Sequence, residues 1–446
     1  MMGRYFGTDG IRGPVGTFVT ETLAEQVGRS LQALSCRTVV IGRDTRETGP
    51  SLADAIARGA LEVGLDVLSI GIVPTPLLSH VSARTDAIGV MITASHNPYQ
   101  DNGIKVFLRG KKLFACEESA LEDQISGAAV VVSSARPGRM LPVIDAYRFY
   151  RELALSVMPH SRDRVALDFA NGATFQIGRR LFANTGAELF LTGSEPDGKN
   201  INLGVGSTHI EHLSAFVREH GCDVGFAFDG DGDRLIAVGG DGEVYDGDML
   251  VFVIAVARKR HNLLKGNTVA LTKMSNLGLV KALAEQGIQT MLTDIGDKYV
   301  LEALELNDFM IGGENSGHII DRTILNTGDG VLNALHVLKI MTETGLSLAQ
   351  LTATVHLYPD RLVNLKNIDK TLVNDAEVVA KTAEITRRLG TEGKILVRAS
   401  GTEPLIRVSV SAPTIETVDA CIAEVIHVIR TAEAARQPFT ATKTGE

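Results

Sequence analysis

An α/β fold, with three related mixed-sheet domains and a smaller C-terminal α+β domain, is predicted by three observations in this chain. A strand-loop-helix-strand unit recurs three times along it. The pattern changes after about Leu365. A length of 446 residues, with 44% apolar and 22% charged, is enough to bury several separate cores.

The first copy of the unit runs from Thr38-Val39-Val40-Ile41 through a helix-period segment, Leu52 to Leu61, to Gly64 and Leu65-Asp66-Val67-Leu68. The second runs from Val165-Ala166-Leu167 through Phe175 to Phe182, then Gly186 and Glu188-Leu189-Phe190-Leu191. The third runs from Val269-Ala270-Leu271 through Leu277 to Leu283, then Gly287 and Gln289-Thr290-Met291-Leu292. Strand, helix and strand at this spacing predict a crossover whose two strands lie parallel beneath the helix. Long extra segments after each unit favour separate domains over one large doubly wound sheet. Beyond Leu365 a strand pair, Lys394 to Arg398 and Leu405 to Val410, precedes an amphipathic helix from Glu416 to about Ala432. The expected domains are residues 1–150, 151–250, 251–365 and 366–435, followed by a polar tail, 436–446.

The formal charge is −9, and no block of basic residues interrupts it. A nucleic-acid or anionic-membrane surface therefore lacks its electrostatic footprint, and an anionic substrate needs a locally basic pocket. Cys36, Cys116, Cys222 and Cys421 are far apart and form no C-x-x-C pair, which argues against a zinc ribbon or a disulfide framework. The start, Met1-Met2-Gly3-Arg4-Tyr5-Phe6, has no apolar core of a signal peptide. The longest apolar run, Met249 to Ala257, is too short to span a bilayer. These features predict a reduced, cytoplasmic protein.

The sharpest chemical signal is Phe228-Asp229-Gly230-Asp231-Gly232-Asp233-Arg234, directly after the apolar run Val224-Gly225-Phe226-Ala227. Three carboxylates at alternate positions, with glycines that let the backbone bend tightly, can converge on one hard cation. Magnesium suits a partly filled oxygen site of this kind, one ion per chain. An EF-hand needs Gly at loop position 6 and Glu at position 12, where this chain has Arg234 and Gly240.

A second signal is Gly89-Val90-Met91-Ile92-Thr93-Ala94-Ser95-His96-Asn97-Pro98, a buried-strand pattern that breaks into a polar loop. A serine there stands at a strand end, where open α/β sheets hold their ligands. No Ser in the chain has Gly two residues before and two after, so the hydrolase elbow is excluded. Alone, Ser95 is an ordinary loop hydroxyl. His96, able to carry protons near neutral pH, and Lys105 in Asn102-Gly103-Ile104-Lys105 make it a candidate nucleophile.

Arg398-Ala399-Ser400-Gly401-Thr402-Glu403-Pro404, with Arg407 on the returning strand, can form an anion nest with guanidinium support. Neither a Walker loop nor G-x-G-x-x-G occurs. Two further polar segments are Gly312-Gly313-Glu314-Asn315-Ser316-Gly317-His318 and Tyr5-Phe6-Gly7-Thr8-Asp9-Gly10-Ile11-Arg12-Gly13. A carboxylate beside a hydroxyl suits adjacent sugar hydroxyls, which makes Glu314, Ser316 and His318 candidate substrate contacts, and Arg12 suits a phosphate.

These five motifs, in this order, resemble the α-D-phosphohexomutase superfamily across essentially the whole chain, and within it the bacterial branch that acts on glucosamine phosphate. Asn326-Thr327-Gly328-Asp329-Gly330 carries part of that likeness. The resemblance implies four domains around a central cleft and conversion of glucosamine 6-phosphate to glucosamine 1-phosphate, on the route to UDP-N-acetylglucosamine. It implies that Ser95 carries the phosphate and joins Asp229, Asp231 and Asp233 as a magnesium ligand. Glu314 and Ser316 then match the sugar contacts, Arg398, Ser400, Gly401 and Thr402 the distal phosphate site, and a hexosamine bisphosphate the primer that phosphorylates Ser95. Arg234 would help to neutralise the phosphate. Asn315 stands where the family commonly has Gln, and Thr93 where it has Ser. Glucose and mannose phosphates, a non-catalytic sugar-phosphate sensor and a phosphatase stay open as alternatives. So does the oligomeric state, a homodimer included.

Overall fold

The computed structural model describes residues 5–7, 10–130, 134, 136–400 and 405–436. The chain divides into two compact units, one of residues 1–274 and 287–353, the other of 275–286 and 354–446.

Three sheets build the first unit. Strands β1 (Ile11–Pro14), β2 (Thr38–Arg43), β3 (Asp66–Ile72), β4 (Ile88–Ile92), β5 (Asp101–Leu108) and β6 (Lys111–Lys112) form a mixed sheet in the order β1-β5-β4-β2-β3, with β6 paired to β5. The second contains β7 (Arg164–Asp168), β8 (Glu188–Thr192), β9 (Val224–Phe228), β10 (Leu235–Gly239) and β11 (Val244–Tyr245), ordered β11-β10-β9-β7-β8. The third contains β12 (Thr268–Thr272), β13 (Gln289–Thr293), β14 (Ile311–Gly313) and β15 (Ile319–Asp321), ordered β13-β12-β14-β15.

Each of the three repeated units forms the expected crossover. The pairs β2/β3, β7/β8 and β12/β13 are parallel, joined through helices Gly49–Glu62, Ile177–Phe182 and Leu277–Glu285. Val39, Val40 and Ile41 are buried along β2, as the apolar β-branched run requires of a strand covered on both faces. The third helix belongs to residues that group with the second unit. Helix boundaries follow local signals: Thr20 caps helix Glu21–Ser30 by accepting from Leu23 N, and Asp246 caps Gly247–Arg260 by accepting from Met249 N.

The second unit has an antiparallel sheet of β16 (Asp360–Lys366), β17 (Lys394–Ala399) and β18 (Leu405–Ser411), ordered β16-β18-β17. Helices Ala376–Leu389 and Ile415–Arg436 close its core, in which Val378, Ile385, Ile406, Val408, Val418 and Val425 are buried. The expected strand pair and final helix are present. Strand β16 and helix Ala376–Leu389 add to them, and β16 was illegible because only Leu365 is buried along it. Of the expected tail, 436–446, Arg436 instead ends the last helix, and residues from 437 onward lie outside the described residues. Among the described residues, no helix is long and apolar enough to cross a membrane.

Candidate active site

Strands of the first unit deliver their chemistry at their C-terminal ends. Ser95 follows β4, Asp229 follows β9, and Glu314 follows β14. Each of these strands has a parallel partner, so the three loops emerge where such sheets gather ligands.

Ser95 is buried and takes a left-handed turn, φ 51°. Its hydroxyl donates to Asp229 Oδ2 at 2.6 Å, which joins the first sheet's loop to the second's. That approach requires a glycine next door: a Cβ on Gly230 would stand 2.5 Å from the Ser95 carbonyl oxygen. Gly232, at φ 74°, turns the chain between Asp231 and Asp233.

Oxygens of Asp229, Asp231 and Asp233 lie within 4.8 Å of one another, all buried. Asp231 Oδ2 accepts from Thr75 Oγ1 at 2.5 Å and from Lys105 Nζ at 2.9 Å, and Lys105 also reaches Asp233 Oδ2 at 3.3 Å. Asp231 Oδ1 and Asp233 Oδ1 are buried with no hydrogen-bond partner among the described residues. Two orphaned carboxylate oxygens beside a third carboxylate fit a hard divalent cation, and Lys105 alone does not satisfy them.

The trio's electrostatics are uneven. Burial, then the charges of Asp233 and Asp231, push the Asp229 carboxyl well above its ordinary range. Burial pushes Asp233 the same way, but Lys105 and the His318 hydrogen bond outweigh it and hold that carboxyl well below. Arg234 stays charged: burial opposes this, and Asp229, Asp233, Asp231 and Glu314 prevail.

His96 places Nδ1 3.4 Å from Ser95 Oγ. Burial and the nearby Arg234 and Arg12 lower it to about 4, so at neutral pH the imidazole is neutral and is a hydrogen-bonding group more than a proton donor. Arg12, on β1, donates to Asn97 Oδ1 at 3.4 Å. Glu314 accepts from Gly296 N at 3.0 Å, and burial pushes its carboxyl up. Ser316 Oγ is buried without a hydrogen-bond partner among the described residues. His318 is buried, with Nδ1 3.8 Å from Asp233 Oδ2 and Nε2 3.7 Å from Asp297 Oδ2. Those neighbours raise it despite burial, which makes it a support for Asp233.

The second unit carries Arg398 and Arg407 directly opposite each other on β17 and β18. Burial, then the Arg407 charge, lowers Arg398. Lys370 Nζ donates to the Ser400 carbonyl at 3.0 Å, two residues beyond Arg398. Gly401 and Thr402 lie outside the described residues, as do Thr8 and Asp9.

Sequence reasoning missed Asp44, Arg46, Thr75 and Asn202, all of which hydrogen-bond to the Ser95 or aspartate loops. For Asp44 and Arg46 the available signal was Arg43-Asp44-Thr45-Arg46, a charged run that begins at the last residue of the buried strand β2.

Family models for phosphoglucomutase/phosphomannomutase match nearly the whole chain: alpha/beta/alpha domain I at residues 3–129, domain II at 149–242, domain III at 246–358 and the C-terminal domain at 362–428. The phosphoglucosamine mutase of Bacillus subtilis is 42% identical, over 96% of this chain and 99% of its own. That of Leuconostoc mesenteroides is 43% identical, over 96% and 98%. Among solved structures, a phosphoglucomutase/phosphomannomutase family protein from Burkholderia thailandensis superposes with a TM-score of 0.83 at 24% identity, covering 96% of this chain and 97% of that one. The N-acetylphosphoglucosamine mutase of Aspergillus fumigatus, solved with GlcNAc-6P and magnesium, gives 0.69 at 19% identity, covering 97% and 96%. Matched along all four of its domains, the chain belongs to the phosphoglucomutase/phosphomannomutase family of the α-D-phosphohexomutase superfamily.

Proposed function

We propose that this chain interconverts glucosamine 6-phosphate and glucosamine 1-phosphate, with Ser95 as the phosphoryl carrier. It is a mutase, an isomerase of the intramolecular phosphotransferase type. The observation that carries the reading is the 2.6 Å hydrogen bond from Ser95 Oγ to Asp229, one of three clustered carboxylates. A serine brought to a cation site can carry phosphate, and a mere sugar-phosphate binder has no need of it. The identity of about 42% to phosphoglucosamine mutases supports the amino sugar.

Asp229, Asp231 and Asp233 would hold magnesium, together with Ser95. When bound, that ion supplies positive charge at the transferring phosphoryl group. In the first half-reaction the bond from phosphorus to Ser95 Oγ breaks and a bond from phosphorus to the sugar O1 forms. The O1 proton leaves to a base and Ser95 recovers a hydroxyl. In the second, the bisphosphate returns the 6-phosphoryl group to Ser95 and O6 takes a proton. Lys105 is the candidate to supply a proton and the neutral His96 to accept one, with Arg12 and Arg234 to offset the phosphate charge. Arg398, Arg407 and Ser400 offer the second unit's anion site to a substrate phosphate. A hexosamine bisphosphate would prime the cycle. The four free cysteines suit a reducing compartment such as the cytoplasm.

The test is Ser95→Ala, assayed on glucosamine, glucose and mannose phosphates side by side. Turnover should fall at least about 10³-fold with the fold intact, and wild type should prefer the glucosamine substrate. Full activity in the variant ends the carrier role. Free phosphate in place of isomerised sugar would favour a phosphatase.

A further inference from the structure

The Ser95 turn is held by two residues outside the aspartate trio. Arg46, just past β2, has no exposed side-chain surface. All five of its side-chain N–H groups are used. Nε donates to Asp44 Oδ2 at 2.9 Å, and Nη1 to the carbonyls of Pro98 at 2.6 Å and Asp101 at 2.9 Å. Nη2 donates to the carbonyls of Ser95 at 3.0 Å and Asn97 at 2.8 Å. The other side of the Ser95 residue is tied to the same pair: Thr93 Oγ1 accepts from Ser95 N at 2.9 Å and donates to Asp44 Oδ2 at 2.7 Å.

Asn202 comes from the loop after β8, in the second sheet's part of the chain. Its Nδ2 donates to the same two carbonyls, Ser95 at 2.9 Å and Asn97 at 3.2 Å. It also lies against the aspartate loop, since a Cβ on Gly230 would stand 2.9 Å from it. A left-handed serine persists only where its surroundings over-determine it. Here they do so from two sides, with duplicate donors on identical acceptors.

We infer that Arg46 and Asn202 are positioning residues for the phosphoryl carrier: Arg46 imposes the turn that aims Ser95 Oγ at Asp229, and Asn202 binds that turn to the part of the chain bearing the trio. The inference rests on the reading of Ser95 as carrier. The duplication separates a structural from a positioning role. In Asn202→Ala both carbonyls keep their bond to Arg46, so no buried acceptor is abandoned; Asn202 is itself left-handed, φ 57°, so alanine adds backbone strain that should lower the melting temperature by about 2–4 °C and leave the chain folded. The backbone of the Ser95 turn, however, loses its bonds to the loop after β8, and a displacement near 1 Å of the nucleophile costs about 10²-fold in rate.

The experiment measures kcat, KM, melting temperature and Mn²⁺ affinity in Asn202→Ala, Arg46→Lys and Ser95→Ala. Lysine keeps the charge beside Asp44 but offers only three donors from one point. Expected is a drop in kcat of about 30- to 100-fold in Asn202→Ala and at least as large in Arg46→Lys. KM and Mn²⁺ affinity should stay within about threefold, because uniform binding is untouched. Should Arg46→Lys fail to fold, Asn202→Ala decides alone. An inactive Ser95→Ala beside an Asn202→Ala of wild-type kcat overturns the positioning role. A Ser95→Ala that turns over normally brings down the carrier reading itself, and the positioning role with it.

Discussion

The aspartate trio of the first unit and the Arg398–Arg407 pair of the second are both clusters of like charge, but they are stabilised in different ways. The trio is fully buried and partly compensated from within, by Lys105, Arg234, Thr75 and the Ser95 hydroxyl. The arginine pair is half-buried, and Lys370, which carries the same sign, donates to the carbonyl of Ser400 two residues beyond Arg398. A carboxylate cluster deep in the fold needs internal cations if the chain is to fold before a metal arrives. A half-buried arginine pair on facing strands can lean on water until an anion comes. The first cluster should therefore be sensitive in chemistry, and the second in binding.

The largest effect that sharpens this contrast is at Asp231. Asp231→Asn removes the charge and replaces one of the two oxygens, either the orphaned Oδ1 or the Oδ2 that accepts from Lys105, so turnover at saturating magnesium should fall by at least about 10³-fold, roughly 4 kcal/mol of barrier. Chelation of wild type should produce the same loss, reversed on adding the metal. Activity within tenfold of wild type would remove the trio from the chemistry. Next, Arg398→Gln should raise KM for the sugar phosphate about 10- to 100-fold with a smaller change in kcat, the pattern of a lost charge-assisted contact. A loss confined to kcat would break the division between chemistry and binding.

Asp321 provides a third case, a buried carboxylate whose cation is built into the fold. Burial opposes its charge, but the His336 contact, Arg258 at 2.8 Å and the Thr323 hydroxyl at 2.6 Å hold it down to about 2. A depressed folded value stabilises the protein above the unfolded value, near 4, and that contribution is lost as pH falls toward 2. The stability gap between wild type and Asp321→Asn, followed by denaturant melts, should narrow by about 2 kcal/mol between pH 5 and pH 2. A gap independent of pH would sink this assignment. The smallest effect returns to the arginines. Relieving like charges on facing strand positions, Arg398→Gln should raise stability by about 0.5 kcal/mol in the absence of anion. A clear destabilisation would mean that the pair is already compensated.

The clustering of the three aspartates was legible in the sequence. The alternating aspartates and glycines after an apolar run announce a cation loop, because convergence of carboxylates is a property of a few adjacent residues. Ser95 was legible only through its neighbours His96 and Lys105. Arg46 and Asn202 were not, since a buried arginine or asparagine in a polar loop has the same sequence signature as a solvated one. His318 stood next to Glu314 and Ser316 in the chain and shared their expected role, yet its ring faces Asp233 and Asp297.

The sequence by itself determined the three parallel crossovers, the antiparallel pair of the last domain and the residue types available at each strand end, because periodicities of 2 and 3.6 and tight glycine turns are local. Only the tertiary structure decided which of those residues meet. Ser95 and Asp229 are 134 positions apart, and Ser95 and Asn202 are 107. Their bonds exist because separate sheets are packed side by side, and no local pattern specifies that packing.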